Sequence, residues 1–238
     1  MFVRVWDIHP GYLSRQNLLG QHVEIHAIFS VITCGKEGYA RHPETMRWRQ
    51  NLQRLREMHR LTVAEMCLRG YGHRSPLPEV DCGGDGESFC WVNPPEYQFG
   101  LLHAKYAPTA RVGRIPLPKR GSHFWAHHKY AVMSRGYVYY KEIQAYMRDK
   151  TDCLIEEEGA LVSRVLEIIH SPMEQRAFRN TVDHLWGYFK EIATVAEKEA
   201  YLAKKETEPA LLLPYFYQLA SAYGIEYLLH STIFTDSI

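Results

Sequence analysis

The chain has 238 residues, 46% hydrophobic and 23% charged, with a net charge of +1. That is enough apolar mass for a self-supporting core and too little charge imbalance for a disordered chain. Mean hydropathy is −0.34, and the apolar run Ala210–Leu213 falls far short of the ~18–20 residues of a membrane span, so no membrane protein is expected. The five cysteines, Cys34, Cys67, Cys82, Cys90 and Cys153, form no Cys-x-x-Cys pair and are odd in number. Together with an N-terminus that meets a charge before any apolar stretch, they point to a reducing, cytoplasmic setting.

Along the chain the charge is uneven. Residues 1–78 carry 11 Lys+Arg against 6 Asp+Glu, residues 79–120 carry 5 of each, and residues 121–238 carry 12 against 16. A basic front of +5 and an acidic back of −4 suggest two units with different partners.

In the first stretch Leu18, Leu19, His22, Val23 and His26 recur at helical spacing and Ala27–Ile32 continues the face. A Gly-containing turn (Cys34-Gly35-Lys36-Glu37-Gly38) follows, and His42-Pro43 starts the next helix. From Glu44 to Arg69, Leu52, Leu55, Met58, Leu61, Ala64 and Leu68 form one face, and Gly70 supplies the stop. Residues 76–121 are punctuated by Pro and Gly, with one short helix around Tyr97–Tyr106 and an extended linker at Gly113–Gly121. Residues 122–238 return to helical period: Leu161, Val165 and Ile168 make one stripe, with Val162, Leu166 and Ile169 beside it. Ser171-Pro172 breaks the pattern, Leu185, Phe189 and Ile192 make the next stripe, and Leu211–Leu229 reads as a last helix or pair. With no alternating strand, the expectation is an all-α protein in two units, residues 1–115 and 122–238.

His22 and His26, at i and i+4, share a helix face and could ligate a metal; Glu24 points about 200° away from His22 and does not follow it directly as in zinc proteases. His123 and His127 repeat the spacing, and capping or solvent exposure explains them equally well. Gly83-Gly-Asp-Gly86 lacks the Lys-Ser/Thr of a phosphate loop. The basic front is built on arginine, which suits bidentate phosphate contact, with Tyr39, Trp48 and Tyr71 interleaved where they could stack on bases. Glu24 is an acid among these cations on a mostly apolar helix, and therefore a site candidate.

Four motifs then carry a resemblance: Arg4-Val-Trp-Asp-Ile-His-Pro-Gly-Tyr-Leu13, Leu18-Leu-Gly-Gln-His-Val-Glu24, Gly35-Lys-Glu-Gly-Tyr39, and Arg54-Leu-Arg through Ala64-Glu-Met-Cys-Leu-Arg-Gly-Tyr71. In order and spacing they resemble the pyrimidine-dimer DNA glycosylases of the phage endonuclease V type, over roughly residues 3–115. The later motifs Trp125-Ala-His-His-Lys-Tyr130, Asn180–Lys190 and Glu197-Lys198 resemble the helical YbgA-type domain, which has no firmly assigned chemistry and whose relatives are often encoded beside photolyase.

The glycosylase resemblance implies a compact all-α fold, double-stranded damaged DNA as the partner, and a reaction without metal or cofactor. In that family the nucleophile is the chain's own α-amine, which attacks the sugar C1′ of the dimer's 5′ nucleotide, expels the base and forms a Schiff base, and β-elimination then nicks the strand; the resemblance implies the same here. Glu24 matches the glutamate that stabilises the cationic sugar and moves protons. An α-amine with a pKa of about 7.7–8.0 is partly neutral at cellular pH. Contacts to DNA are expected from Arg4, Arg15, Lys36, Arg41 and Arg47, and from Arg54, Arg69 and Tyr71.

The pattern is departed from in three places. Val23 and Ala27 stand where the family carries arginines beside its glutamate, so phosphate contacts are expected from His22, His26 or Arg15. Aligning Arg4 and Glu24 puts the reactive amine on Val3, yet Met1 and Phe2 precede it; either the amine of Met1 reaches the site or the natural start is Val3. The acidic second half is expected to serve as a regulatory module or to bind a protein partner. The rival readings are a DNA-binding protein on the same fold without catalysis, and a metal-dependent nucleic-acid or nucleotide enzyme using the histidines.

Overall fold

A computed structural model describes residues 4–80, 89–207 and 211–236. It is all-α: about two thirds of the chain is helical, and the described residues contain no strand, only an isolated bridge between Arg120 and Leu154. The chain divides into two compact units, one through Leu117 and one from Pro118. Among the described residues no helix is long and apolar enough to cross a membrane.

In the first unit, α1 (Arg15–Thr33) is capped by Ser14, whose hydroxyl accepts the Asn17 N–H. The helix α2 (Pro43–Trp48) begins at Pro43 with the His42 ring nitrogen capping Glu44 N–H. Then α3 (Leu52–Leu68) packs along α1, and α4 (Pro95–Tyr106) completes the set. The single pattern expected from Glu44 to Arg69 is interrupted between Trp48 and Leu52. Asn51 leaves the helical region there, and its side-chain amide donates to the Arg47 carbonyl at 2.9 Å, closing α2 before α3 starts. The stop at Gly70 is a left-handed residue, φ +76°. Val5, Ile25, Ile28, Phe29, Trp48, Leu55, Met58 and Leu77 form a core cluster.

The buried face of α1 differs from the expected one. Leu18, Ile25, Ile28 and Phe29 point inward together with the polar Asn17 and Gln21, while Val23 is exposed. The polar pair is buried because it serves backbone donors and side chains of other segments: Gln21 Oε1 accepts the Trp6 N–H at 2.8 Å and its amide donates to Thr62 at 3.0 Å.

The stretch read as an extended linker begins as part of this unit. Ile115 is fully buried and its N–H donates to the Gly11 carbonyl at 2.9 Å. Gly113 lies so close that a Cβ there would meet the Gly11 and Tyr12 backbone at 2.5–2.6 Å. Gly113→Ala is therefore expected to cost about 1–3 kcal/mol by overpacking against backbone that cannot give. A shift of the urea midpoint in a chemical-denaturation curve reads this directly.

The second unit runs α5 (Gly121–Met133), α6 (Tyr137–Asp149), α7 (Gly159–His170), α8 (Gln175–Trp186), α9 (Val195–Thr207), α10 (Leu212–Ala222) and α11 (Glu226–Leu229). The stripe Leu161, Val162, Val165, Leu166 and Ile168 is buried on α7, whereas Ile192 lies past the end of α8 and is exposed. The expected helix or pair at Leu211–Leu229 is α10 and α11, joined through Gly224. Trp186 stacks on Tyr201 with ring centroids 4.0 Å apart, and Asp183 accepts from the Tyr201 hydroxyl at 3.0 Å. Arg135 closes the unit by donating to the Ala131, Ile169 and Ser171 carbonyls and to Asp236.

Candidate active site

Val5, Trp6 and Asp7 lie outside any helix and are held by side chains, not by neighbouring strands. Val5 N–H donates to Glu44 Oε1 at 2.9 Å, Trp6 N–H to Gln21, and Asp7 N–H to Gln98 Oε1 at 2.9 Å. Each anchor is itself fixed. Glu44 also accepts from Arg47 and from the Trp48 indole, and Gln98 donates to Asp7 Oδ2 and the Asn93 carbonyl. A backbone without sheet partners must find its acceptors elsewhere, and the buried Glu44, Gln21 and Gln98 supply them.

This segment forms one wall of an open cleft of about 380 Å³, and α1 and α4 form the rest: Arg4, Trp6, Asn17, Gln21, Glu24 and Lys105 are among its lining residues. The Arg4 guanidinium lies over the Trp6 indole at 4.2 Å, with Lys105 6.0 Å from the same ring. Glu24 is half-buried, and burial pushes its carboxyl above the usual carboxylate range; the Glu44 charge adds to the shift and His42 opposes it. Burial also lowers the Arg4 and Lys105 values. A carboxylate among cations in a cleft is chemically able to face a developing sugar cation while the cations hold phosphate. A second, apolar recess of about 140 Å³ flanks Glu24 and is lined by Val23, Ala27, Ile28, Val31, Tyr39 and Thr45. Val23 and Ala27, the two departures from the resemblance beside Glu24, thus form an apolar wall next to the carboxylate.

The remaining sequence candidates are dispersed. Met1 and Val3 lie outside the described residues, as do Cys82 and Gly83–Gly86. Arg15, Lys36 and Arg41 are exposed; Lys36 donates to Ser30 at 2.7 Å, and Arg15 sits over the Tyr71 ring at 5.8 Å. Arg54 packs over Phe89 at 4.0 Å. Two arginines are paired within the first unit. Arg47, 4% exposed, is ion-paired with Asp7 at 2.7 Å and Glu44 at 2.5 Å and donates to the Val5 carbonyl. Arg69 pairs with the fully buried Glu65 and donates to the Leu13 and Gly11 carbonyls. Both guanidiniums belong to the frame that holds residues 5–13.

His22 and His26 line neither cleft. They meet His59 of α3 and His73, which follows the Gly70 turn, in a four-imidazole cluster. Burial first and neighbouring imidazoles second push His22 and His59 down to about 4, and His26 down as well. His59 and His73 were not singled out from the sequence, because they lie 33 and 47 positions beyond His26 and follow no motif spacing. The pair His123 and His127 assembles no such group among the described residues; His128 is fully buried against Phe124 and Thr232. Lys105 was also missed, its one sequence signal being a cation in the last turn of the helix expected at Tyr97–Tyr106.

Residues 3–79 match the family described as pyrimidine dimer DNA glycosylase, and residues 129–236 match DUF1722, described as a protein of unknown function. No curated protein and no solved structure gives a match to the chain.

Proposed function

We propose that the first unit is a DNA glycosylase for ultraviolet-damaged duplex DNA, with associated abasic-site lyase activity. The observation that carries this reading is the clamped N-terminal segment, which brings Arg4 into one cleft with Glu24 within a region that matches the pyrimidine dimer glycosylase family. The α-amine at the head of that segment, on Val3 or on Met1, attacks C1′ of the damaged nucleotide and the base departs with its bonding electrons. Loss of a proton from the resulting amine–sugar adduct and ring opening give the Schiff base, and β-elimination cleaves the 3′ phosphate ester. Glu24 as carboxylate stabilises the sugar cation and shuttles protons, while Arg4 and Lys105 bind phosphate at the rim. The acidic second unit binds a protein partner, in keeping with its 12 Lys+Arg against 16 Asp+Glu from residue 121 on.

Borohydride reduction during incubation with ultraviolet-irradiated duplex is the direct test. A covalent protein–DNA adduct that maps to the N-terminal peptide is expected; a folded protein that binds the same duplex and gives no adduct is a binding protein instead. Intact mass of the natively expressed chain distinguishes the Met1 from the Val3 amine. The pH profile of trapping carries a second expectation. The acid limb should follow protonation of the α-amine, near its ordinary pKa of about 7.7–8.0, and protonation of the raised Glu24 carboxyl should add a second, steeper loss at lower pH. A low-pH loss that is unchanged in Glu24→Gln removes that assignment.

A further inference from the structure

Across α1 from Glu24, we propose that His22, His26, His59 and His73 form a binding site for a divalent first-row transition metal, zinc being the ion they suit best, with a structural role. One ligating nitrogen of each lies within 4.8 Å of all the others. His26 Nε2 and His59 Nε2 are 3.1 Å apart, near the ~3.3–3.4 Å edge of a tetrahedron with Zn–N bonds of about 2.0–2.1 Å. The Nε2 atoms of His22 and His73 are buried and accept or donate no hydrogen bond. Buried ring nitrogens without partners are costly and uncommon, and two of them within one four-imidazole cluster are what a shared cation would satisfy.

The donor set selects the class of ion. Four imidazoles with no carboxylate suit zinc and its neighbours, and not calcium or magnesium, which take oxygen ligands. Four protein ligands leave no open position, so the ion would hold structure and not activate water. What it would hold is specific. His22 and His26 belong to α1, His59 to α3, and His73 to the stretch after Gly70 that returns Leu77 to the core, so one ion ties three separate segments together. The site is independent of the glycosylase reading, since none of its residues lines the Glu24 cleft.

Full-length protein, stripped with a chelator and dialysed, is titrated with Zn²⁺ against a chromophoric competitor, and separately with Co²⁺. One equivalent of zinc per chain, visible d–d bands of tetrahedral strength with cobalt, and a Tm that rises with zinc concentration are expected. His73→Gln, which lies outside the helices, and the pair His26→Gln/His59→Gln should each weaken zinc binding at least about tenfold, with folding checked by circular dichroism. Substoichiometric zinc, an octahedral cobalt spectrum in the wild-type protein, or undiminished affinity in a folded His73→Gln variant overturns the proposal. The wild-type cobalt spectrum decides the matter even where a variant does not fold.

Discussion

Replacing Glu24 with glutamine is expected to lower the rate of trapping and strand scission on ultraviolet-irradiated duplex by about 10²–10³-fold, the usual cost of removing one electrostatic stabiliser of a transition state. The fold should be untouched. Glu24 is half-buried on the outer side of α1, and among the described residues its carboxylate joins no ion pair or hydrogen bond, so the change falls in the range of about ±0.5 kcal/mol typical of surface positions. Glutamine keeps the shape and loses the charge and the proton-transfer capacity, so the loss should fall on the rate at saturating DNA and not on affinity. Single-turnover kinetics with excess enzyme separates the two. A Glu24→Gln enzyme within about threefold of wild type would take Glu24 out of the reaction.

The largest loss of stability is expected from Glu65→Ala. Glu65 is fully buried, receives a two-pronged contact from Arg114 at 2.7–3.1 Å, and accepts from Arg69 Nε at 2.7 Å. Truncation removes the carboxylate that the two guanidiniums share, and breaking a buried pair costs about 3–5 kcal/mol, against a typical total of about 5–15 kcal/mol. Urea unfolding should show the midpoint collapse, with Glu65→Gln intermediate because it retains acceptors. The Glu65→Ala/Arg114→Ala double variant should lose less than the sum of the two single changes, as coupled partners do. A loss below about 1 kcal/mol would mean that the two arginines find water or other acceptors. Arg69 also holds the Gly11 and Leu13 carbonyls, so the same variant should loosen the segment leading back to the cleft and reduce trapping.

These two residues mark how far sequence reading reached. Helices were legible wherever apolar side chains repeat every three or four positions, as on α3 and α7, because burial of one face is what such spacing reports. Glu24 was legible through the motifs around it. Glu65, Arg47 and Arg69 were not, since a buried, paired charge and a solvated one are spelled with the same letters. Gln21 and Gln98 escaped for a related reason: their burial is dictated by backbone donors of a segment that precedes them by 15 and 91 positions. The break at Asn51 was invisible to periodicity because the apolar face resumes in phase after it. The histidine cluster needed α1, α3 and the chain after Gly70 to be brought together before half of it could be read as a site at all.

The strap from Gly113 to Ile115, lying on Gly11 and Tyr12, sets the order in which a growing chain can complete this unit. The clamp on residues 5–7 includes Gln98, and the seat beneath residues 11–12 is residues 113–115. While the ribosome is still adding the first hundred residues, the start of the chain has left the exit tunnel with much of its binding frame not yet made. At about 5–20 residues per second that interval lasts several seconds. During it residues 5–12 lack the Gln98 anchor and the seat at residues 113–115, so the cleft that Arg4 and Glu24 line is completed late, when the far end of the unit emerges and packs on its beginning.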